Sequence, residues 1–160
     1  MLPPSPFPEK ERPAATSAAP FQVGPGEHAH AVRVRYGDSD QMGVAYYANY
    51  LVWFEVGRTE WLRSRGYTYR ALETEGVFLP VTEAACRYLA PSRYDDLVWI
   101  VTRIGKLGRT IVRFDYRLFK EDGTLAAEGH TEHCFLGREG RPVRAPEAIA
   151  RILAGGQPPV

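Results

Sequence analysis

The chain predicts an α+β fold, one long helix set against about five mainly antiparallel strands. Three observations carry the prediction. A stretch from about residue 47 to Gly66 reads as a single helix, apolar on every side over Tyr50-Leu-Val-Trp-Phe54. Four later segments carry strand patterning. Short turns separate the later segments, so their neighbours in sequence must run antiparallel.

The elements follow in order. Residues 1 to 28 hold seven of the 13 prolines (Pro3, Pro4, Pro6, Pro8, Pro13, Pro20 and Pro25), with Ala and Ser filling much of the rest. Such a segment buries too little apolar surface to offset its ordering entropy, and a disordered tail is expected. It lacks the basic start and apolar run of a secretion signal. The folded domain is expected over residues 29–154, with a flexible end at 155–160. A first strand is expected over 31–36, with Val32, Val34 and Tyr36 on one face.

The helix comes next, about 17 residues or roughly 25 Å long, closed by Gly66 as the residue after its cap. Its back half is amphipathic, with Trp61 and Leu62 on the apolar side. Glu55–Arg58 and Glu60–Arg63 have the i,i+3 spacing of weak surface pairs. A short helical stretch is expected over 69–75, then strands over 78–89, 97–106, 110–120 and 125–136. The hairpins are marked by Gly105-Lys-Leu-Gly108 and Glu121-Asp-Gly123. On the last strand Glu128, His130 and Glu132 face one way. Ala127, Gly129 and Thr131 face the other, small enough for something bulky to approach. A short helix over 147–153 closes the chain.

A curved sheet covers only part of a helix that is apolar all round. The remaining apolar surface, with Trp99 on the outer face of its strand, calls for a partner, and a homodimer is the economical solution.

Composition narrows the function. The chain has 160 residues, one domain on size grounds, with 44% hydrophobic and 24% charged residues. A formal net charge of +1 gives no electrostatic reason to expect nucleic acid. No apolar run reaches the ~20 residues of a membrane span. Cys86 and Cys134 stand far apart outside any CxxC pair, and read as two small buried thiols of a cytoplasmic protein. His130-Thr-Glu-His133 does not make a metal pair, because i and i+3 on a strand point to opposite faces; solvated histidines are expected. Asp38, Asp40 and Gly43 match three positions of a calcium loop, but Met42 and Asn49 fall where that loop needs oxygen ligands. No nucleophile elbow or phosphate loop is present. Nothing calls for a cofactor or a metal.

One constellation remains. Asp40 lies seven residues ahead of Tyr47, where the helix begins. A carboxylate beside the positive end of a helix can attack a carbonyl or activate water, while leading backbone N–H groups hold an oxyanion. With no triad, a good leaving group is needed. A thiol, of pKa about 8.5, leaves as thiolate near neutrality, so a thioester suits this machinery and a peptide bond does not. The bland alternative is a polar turn capped by its own Asp. Glu55 is the reserve candidate for the carboxylate. Tyr36 and Tyr47 flank Asp40 and are expected to line a pocket.

These residues carry a resemblance. Tyr36-Gly-Asp-Ser-Asp-Gln-Met-Gly-Val-Ala-Tyr-Tyr-Ala-Asn-Tyr50, then Phe54-Glu-Val-Gly-Arg-Thr-Glu-Trp61-Leu and Tyr88-Leu-Ala-Pro-Ser-Arg-Tyr-Asp-Asp-Leu97, resemble the hotdog-fold acyl-CoA thioesterases. The branch is the 4-hydroxybenzoyl-CoA thioesterase-like one, which includes the Tol-Pal-associated thioesterase. The resemblance covers about residues 30 to 153. It implies a long central helix wrapped by a five-stranded sheet, homodimers or homotetramers with sites between protomers, and an acyl-CoA substrate. It places the catalytic Asp on Asp40 and the oxyanion-donating N–H on Tyr47. It also implies substrate contacts at Tyr36, Ala48 and Asn49, and CoA phosphates against basic residues, for which Lys106, Arg109 and Arg144 are the candidates. The rival expectations are a hotdog hydratase or dehydratase, disfavoured because no His lies near Asp40, and a non-catalytic module that holds acyl-CoA or acyl carrier protein.

Overall fold

The computed structural model describes residues 18–155. Nine elements follow one another: β1 (His28–Arg33), a 3₁₀ turn (Tyr36–Asp38), α1 (Asn49–Arg63), α2 (Tyr69–Thr74), β2 (Val81–Tyr88), β3 (Leu97–Leu107), β4 (Ile111–Lys120), β5 (Leu125–Cys134) and α3 (Glu147–Leu153). The five strands form one sheet in the order β1-β3-β4-β5-β2, every pair antiparallel.

The long helix lies across one face of this sheet. Tyr50, Trp53, Phe54, Trp61 and Leu62 are buried under it. The Phe54 ring stacks on Tyr116 of β4 at 4.3 Å and 6°. Gly129 of β5 gives that ring its room: a Cβ there would stand 2.8 Å from Phe54 and 2.2 Å from the Ala85 carbonyl. Gly57 does the same one turn on, where a Cβ would meet Thr102 Oγ1 at 2.5 Å. So the small residues of the sequence mark where helix and sheet approach most closely. Gly66, at φ +74°, ends the helix, and the Tyr67 N–H returns to the Leu62 carbonyl.

β1 departs from expectation. It begins at His28 and ends at Arg33, not 31–36. The Asp38 carboxylate captures both the Arg35 N–H and the Arg35 guanidinium, which curls residues 36–38 into the 3₁₀ turn and takes Tyr36 off the strand. β2 begins at Val81 rather than Phe78, because Pro80 has no N–H to give a ladder; Phe78 keeps an isolated bridge to Leu136.

Of the expected tail and flexible end, residues 1–17 and 156–160 lie outside the described residues. Contacts with the domain begin upstream of residue 28. Phe21 lies 4.6 Å from the Phe119 ring and 6.4 Å from Trp99, so Trp99, on the sheet's outer face as expected, is covered by its own chain. The Gly26 carbonyl accepts from the Trp61 indole at 2.9 Å, and Glu27 pairs with Arg117 at 2.6 Å.

Candidate active site

Ser39 and Ala45 form a small antiparallel bridge, and Asp40 to Gly43 turn between them. The Asp40 N–H donates to Val44 O at 2.9 Å, and the Gly43 N–H returns to Asp40 O at 3.0 Å. Gly43, at φ +74°, takes the left-handed position this turn requires. Asp40 Oδ1 accepts the Met42 N–H at 2.8 Å. Among the described residues Oδ2 accepts nothing, and the side chain is half-exposed.

Asp38 behaves differently. It is 3% exposed, and both its oxygens are held by Arg35. The Arg35 hydrogen bond is the main reason its carboxyl lies below the usual range. Its carbonyl accepts from the Tyr46 N–H at 2.7 Å and from Asn49 Nδ2 at 2.8 Å. The motif's two aspartates therefore divide: Asp38 builds the loop and Asp40 is presented by it. The Asn49 side chain, expected at the substrate, is spent on this loop.

The helix entry is tight. Asn49, Tyr50 and Leu51 donate to Tyr46, Tyr47 and Ala48 at 3.0, 3.3 and 3.1 Å, i to i−3 bonds of 3₁₀ type. Among the described residues the Tyr47 and Ala48 N–H groups donate no backbone hydrogen bond. A second strap holds this corner from outside: Ala45 N–H donates to Ser92 O at 2.7 Å, the Tyr50 hydroxyl accepts from Ser92 N–H at 3.4 Å, and the Tyr88 hydroxyl donates to Tyr47 O at 3.0 Å. Sequence reasoning missed Tyr88 and Ser92. Both stand in the segment from Tyr88 to Leu97 that carried part of the resemblance, but nothing in local spacing tells which of its residues reach back 41 positions.

The aromatic side chains here are exposed: Tyr46 at 46%, Tyr47 at 60% and Tyr36 at 84%. Tyr46 and Tyr47 rings lie 4.7 Å apart. The Tyr46 phenol is raised, first by its hydrogen bond to Tyr47, with the Asp40 charge a smaller cause. Tyr36 packs edge-on against Tyr94 at 5.7 Å.

The basic candidates lie elsewhere. Lys106 is the last residue but one of β3, Arg109 sits in the hairpin after it, and Arg144 neighbours Arg109 through the Ala145 N–H to Arg109 O bond. The Asp40 loop is strapped near Ser92, before β3 begins. Ten strand steps of about 3.3 Å separate Leu97 from Leu107, so within one protomer these cations stand at the far end of the sheet. Glu55 is exposed and lies 3.9 Å from Arg58.

The histidines correct one expectation. His130 and His133 do face opposite ways, but neither is solvated as expected: the His130 side chain is 18% exposed and lies 2.6 Å from Glu83. His133 is fully buried, because its side of β5 faces the core. Its Nδ1 meets Leu79 O at 3.2 Å and its Nε2 meets Thr131 Oγ1 at 2.8 Å. Burial lowers its pKa to about 4. Cys86 and Cys134 are free and half-buried.

A cavity of about 430 Å³ opens on the sheet face away from the helix, lined by Arg87, Arg103, Arg113, Arg117, Asp115 and Glu128 among others. Its arginines are already paired, with Glu128, Asp115, Asp115 and Glu27 respectively. None of the residues from Asp38 to Asn49 lines it.

A long helix laid on one face of a five-stranded antiparallel sheet, with an acidic loop at the helix's leading end, is the hotdog fold of thioesterases. The chain belongs to the Thioesterase superfamily, whose family pattern matches residues 42–127. It is 31% identical over 119 residues to the acyl-CoA thioesterase YbgC of Haemophilus influenzae, covering 74% of this chain and 88% of that one. It superposes on a DHNA-CoA thioesterase of Staphylococcus aureus with a TM-score of 0.71 and 32% identity, over 74% and 80% of the two chains. A 4-hydroxybenzoyl-CoA thioesterase bound to 4-hydroxybenzoyl-CoA shares the fold at a TM-score of 0.70 and 19% identity, over 76% and 94%. Among the described residues no helix is long and apolar enough to cross a membrane.

Proposed function

We propose that this chain hydrolyses acyl-CoA thioesters to the free acid and CoA. The observation that carries the reading is the open Oδ2 of Asp40, on a loop hydrogen-bonded to the first residue of a helix, just ahead of which the Tyr47 and Ala48 N–H groups donate no backbone hydrogen bond among the described residues. The thioester carbonyl oxygen accepts the Tyr47 N–H. Asp40 either attacks the carbonyl carbon, giving a mixed anhydride that water then opens, or takes a proton from the attacking water. In both routes the C–S bond breaks and CoA leaves as thiolate, which needs no protonated acid at its side. Similarity to chains named as acyl-CoA thioesterases supports the choice of substrate.

The working unit is a homodimer. β2 is an edge strand with all but one residue exposed, and next to it α1 leaves Leu51 at 39% and Val52 at 52% exposure. An unpaired strand edge beside an apolar helix face is what a second copy covers.

The test is thiol release from a panel of acyl-CoAs by wild type and Asp40→Asn. General-base or nucleophilic help is worth at least about a hundredfold in kcat, and that loss is expected with circular dichroism and Tm unchanged. Near-normal turnover by a folded Asp40→Asn protein rejects the assignment.

A further inference from the structure

The geometry points to Tyr88 as a positioning residue, acting through the Tyr47–Ala48 peptide to hold the Ala48 N–H as a second oxyanion donor. The inference rests on the thioester hydrolase reading and adds to it a residue outside the loop and the helix.

Tyr88 ends β2, and its hydroxyl donates to the Tyr47 carbonyl at 3.0 Å. That carbonyl and the Ala48 N–H belong to one planar peptide group, so fixing the oxygen fixes the direction of the N–H on the opposite side. Within the helix the Tyr47 carbonyl receives only the Tyr50 N–H, at 3.3 Å. The phenol therefore supplies the shorter of its two bonds. Donation to a peptide oxygen also polarises the group and strengthens its N–H as a donor. Like the Tyr47 N–H, the Ala48 N–H has no backbone acceptor among the described residues.

The phenol is itself held in place. Its ring meets Tyr50 edge-on, 5.0 Å away at 88°. Tyr50 is 3% exposed and tied by its hydroxyl to Ser92. Burial and the neighbouring Cys86 push the Tyr88 phenol up to about 12, so it stays a donor across neutral pH. Tyr88 touches no reacting atom on this account. It sets the angle of a peptide that does.

The experiment compares wild type, Asp40→Asn, Tyr88→Phe and a variant with a trifluorinated tyrosine at position 88, using thiol release from acyl-CoA. Tyr88→Phe keeps the ring against Tyr50 and removes only the hydroxyl. Its kcat is expected to fall about tenfold, with KM within about twofold and with Tm and oligomeric state unchanged. A trifluorinated phenol ionises several pH units below tyrosine, so even with burial raising it that variant is expected to lose kcat as pH rises through its phenol pKa, in a range where wild type does not. Tyr88→Phe turnover within about twofold of wild type overturns the proposal. So does a flat pH profile for the fluorinated variant, which still decides if Tyr88→Phe fails to fold. A parallel fall of kcat and Tm would make Tyr88 structural and overturn it as well. Absence of thiol release by the wild type across the acyl-CoA panel fails the hydrolase reading and takes this proposal with it; turnover lost in Asp40→Asn but kept in Tyr88→Phe sinks the proposal alone.

Discussion

The Asn49 side-chain amide donates to the Asp38 carbonyl at 2.8 Å. The first residue of α1 is thereby bonded to a point two residues before Asp40. The same carbonyl takes the Tyr46 N–H at 2.7 Å, so two bonds converge where loop and helix meet. This ties the acid's loop to the helix tip, while Asp40's own hydrogen bonds among the described residues stay within its turn.

Asn49→Ala removes one of the two bonds and leaves the other. A loss of about 1 kcal/mol in urea unfolding is expected. A larger proportional loss is expected in kcat, because small displacements of positioned groups cost rate steeply. Equal activity per folded molecule in thiol release would show that Asn49 does not position the acid.

His133 makes acid stability measurable. Its folded pKa of about 4 lies below the ordinary value of about 6.5, so the unfolded chain binds more protons between those values. Its contribution is complete above pH ~6.5 and declines as pH falls to ~4, by up to roughly 3 kcal/mol. The hydrogen bonds assign the roles: Nδ1–H donates to Leu79 O, and Nε2 accepts from Thr131, whose oxygen can accept from Tyr116 at 2.7 Å. His133→Gln is expected to flatten the urea midpoint over that window. An unchanged slope between pH 4 and 6.5 contradicts a buried neutral imidazole.

Asp38 adds a second acid limb at lower pH. Its folded pKa is depressed by Arg35, so its contribution is present above the unfolded carboxylate value of about 4 and is lost as pH falls through the lower folded value. Asp38→Asn is expected to lower stability at pH 7 and to remove this limb, read from thermal melts between pH 2 and 5. A variant as stable as wild type at pH 7 would exclude the Arg35 pairing as a stabilising contact.

Gly129→Ala tests the helix–sheet contact. A methyl group there overlaps the Ala85 carbonyl and the Phe54 ring, and overpacking of this kind costs about 1–3 kcal/mol. A Tm equal to wild type would show that β2 and α1 separate without cost.

Val52→Arg puts a charge on the exposed helix face beside the β2 edge. Sedimentation is expected to show a dimer for wild type and a monomer for the variant, with the monomer's circular dichroism preserved. A variant that stays dimeric places the interface elsewhere.

Periodicity and turn chemistry were enough to show a long helix, antiparallel strands and Gly66 as a stop, because each is set by neighbours a few residues apart. Asp40 and Tyr47 could be put forward as the proposed acid and amide donor for the same reason: one short motif holds both. The alternation over β5 also separated Ala127, Gly129 and Thr131 from Glu128, His130 and Glu132, though not what the small face would receive, which is Phe54. β1 was misplaced because its end depends on a carboxylate, Asp38, reaching back to Arg35. His133 was read as solvated because a strand's buried side is decided by what packs on it.

The sequence by itself thus determined the element order and the acid on which the proposed chemistry turns. Only the tertiary structure decided which aspartate builds and which is presented, that Asn49 serves the loop, and that Tyr88 meets Tyr47 across 41 residues. It also set Lys106, Arg109 and Arg144 at the far end of the sheet from Asp40. The reason is physical: local pattern records what a residue does to its own backbone, whereas hydrogen bonds between distant segments exist only once strand register has fixed their distance.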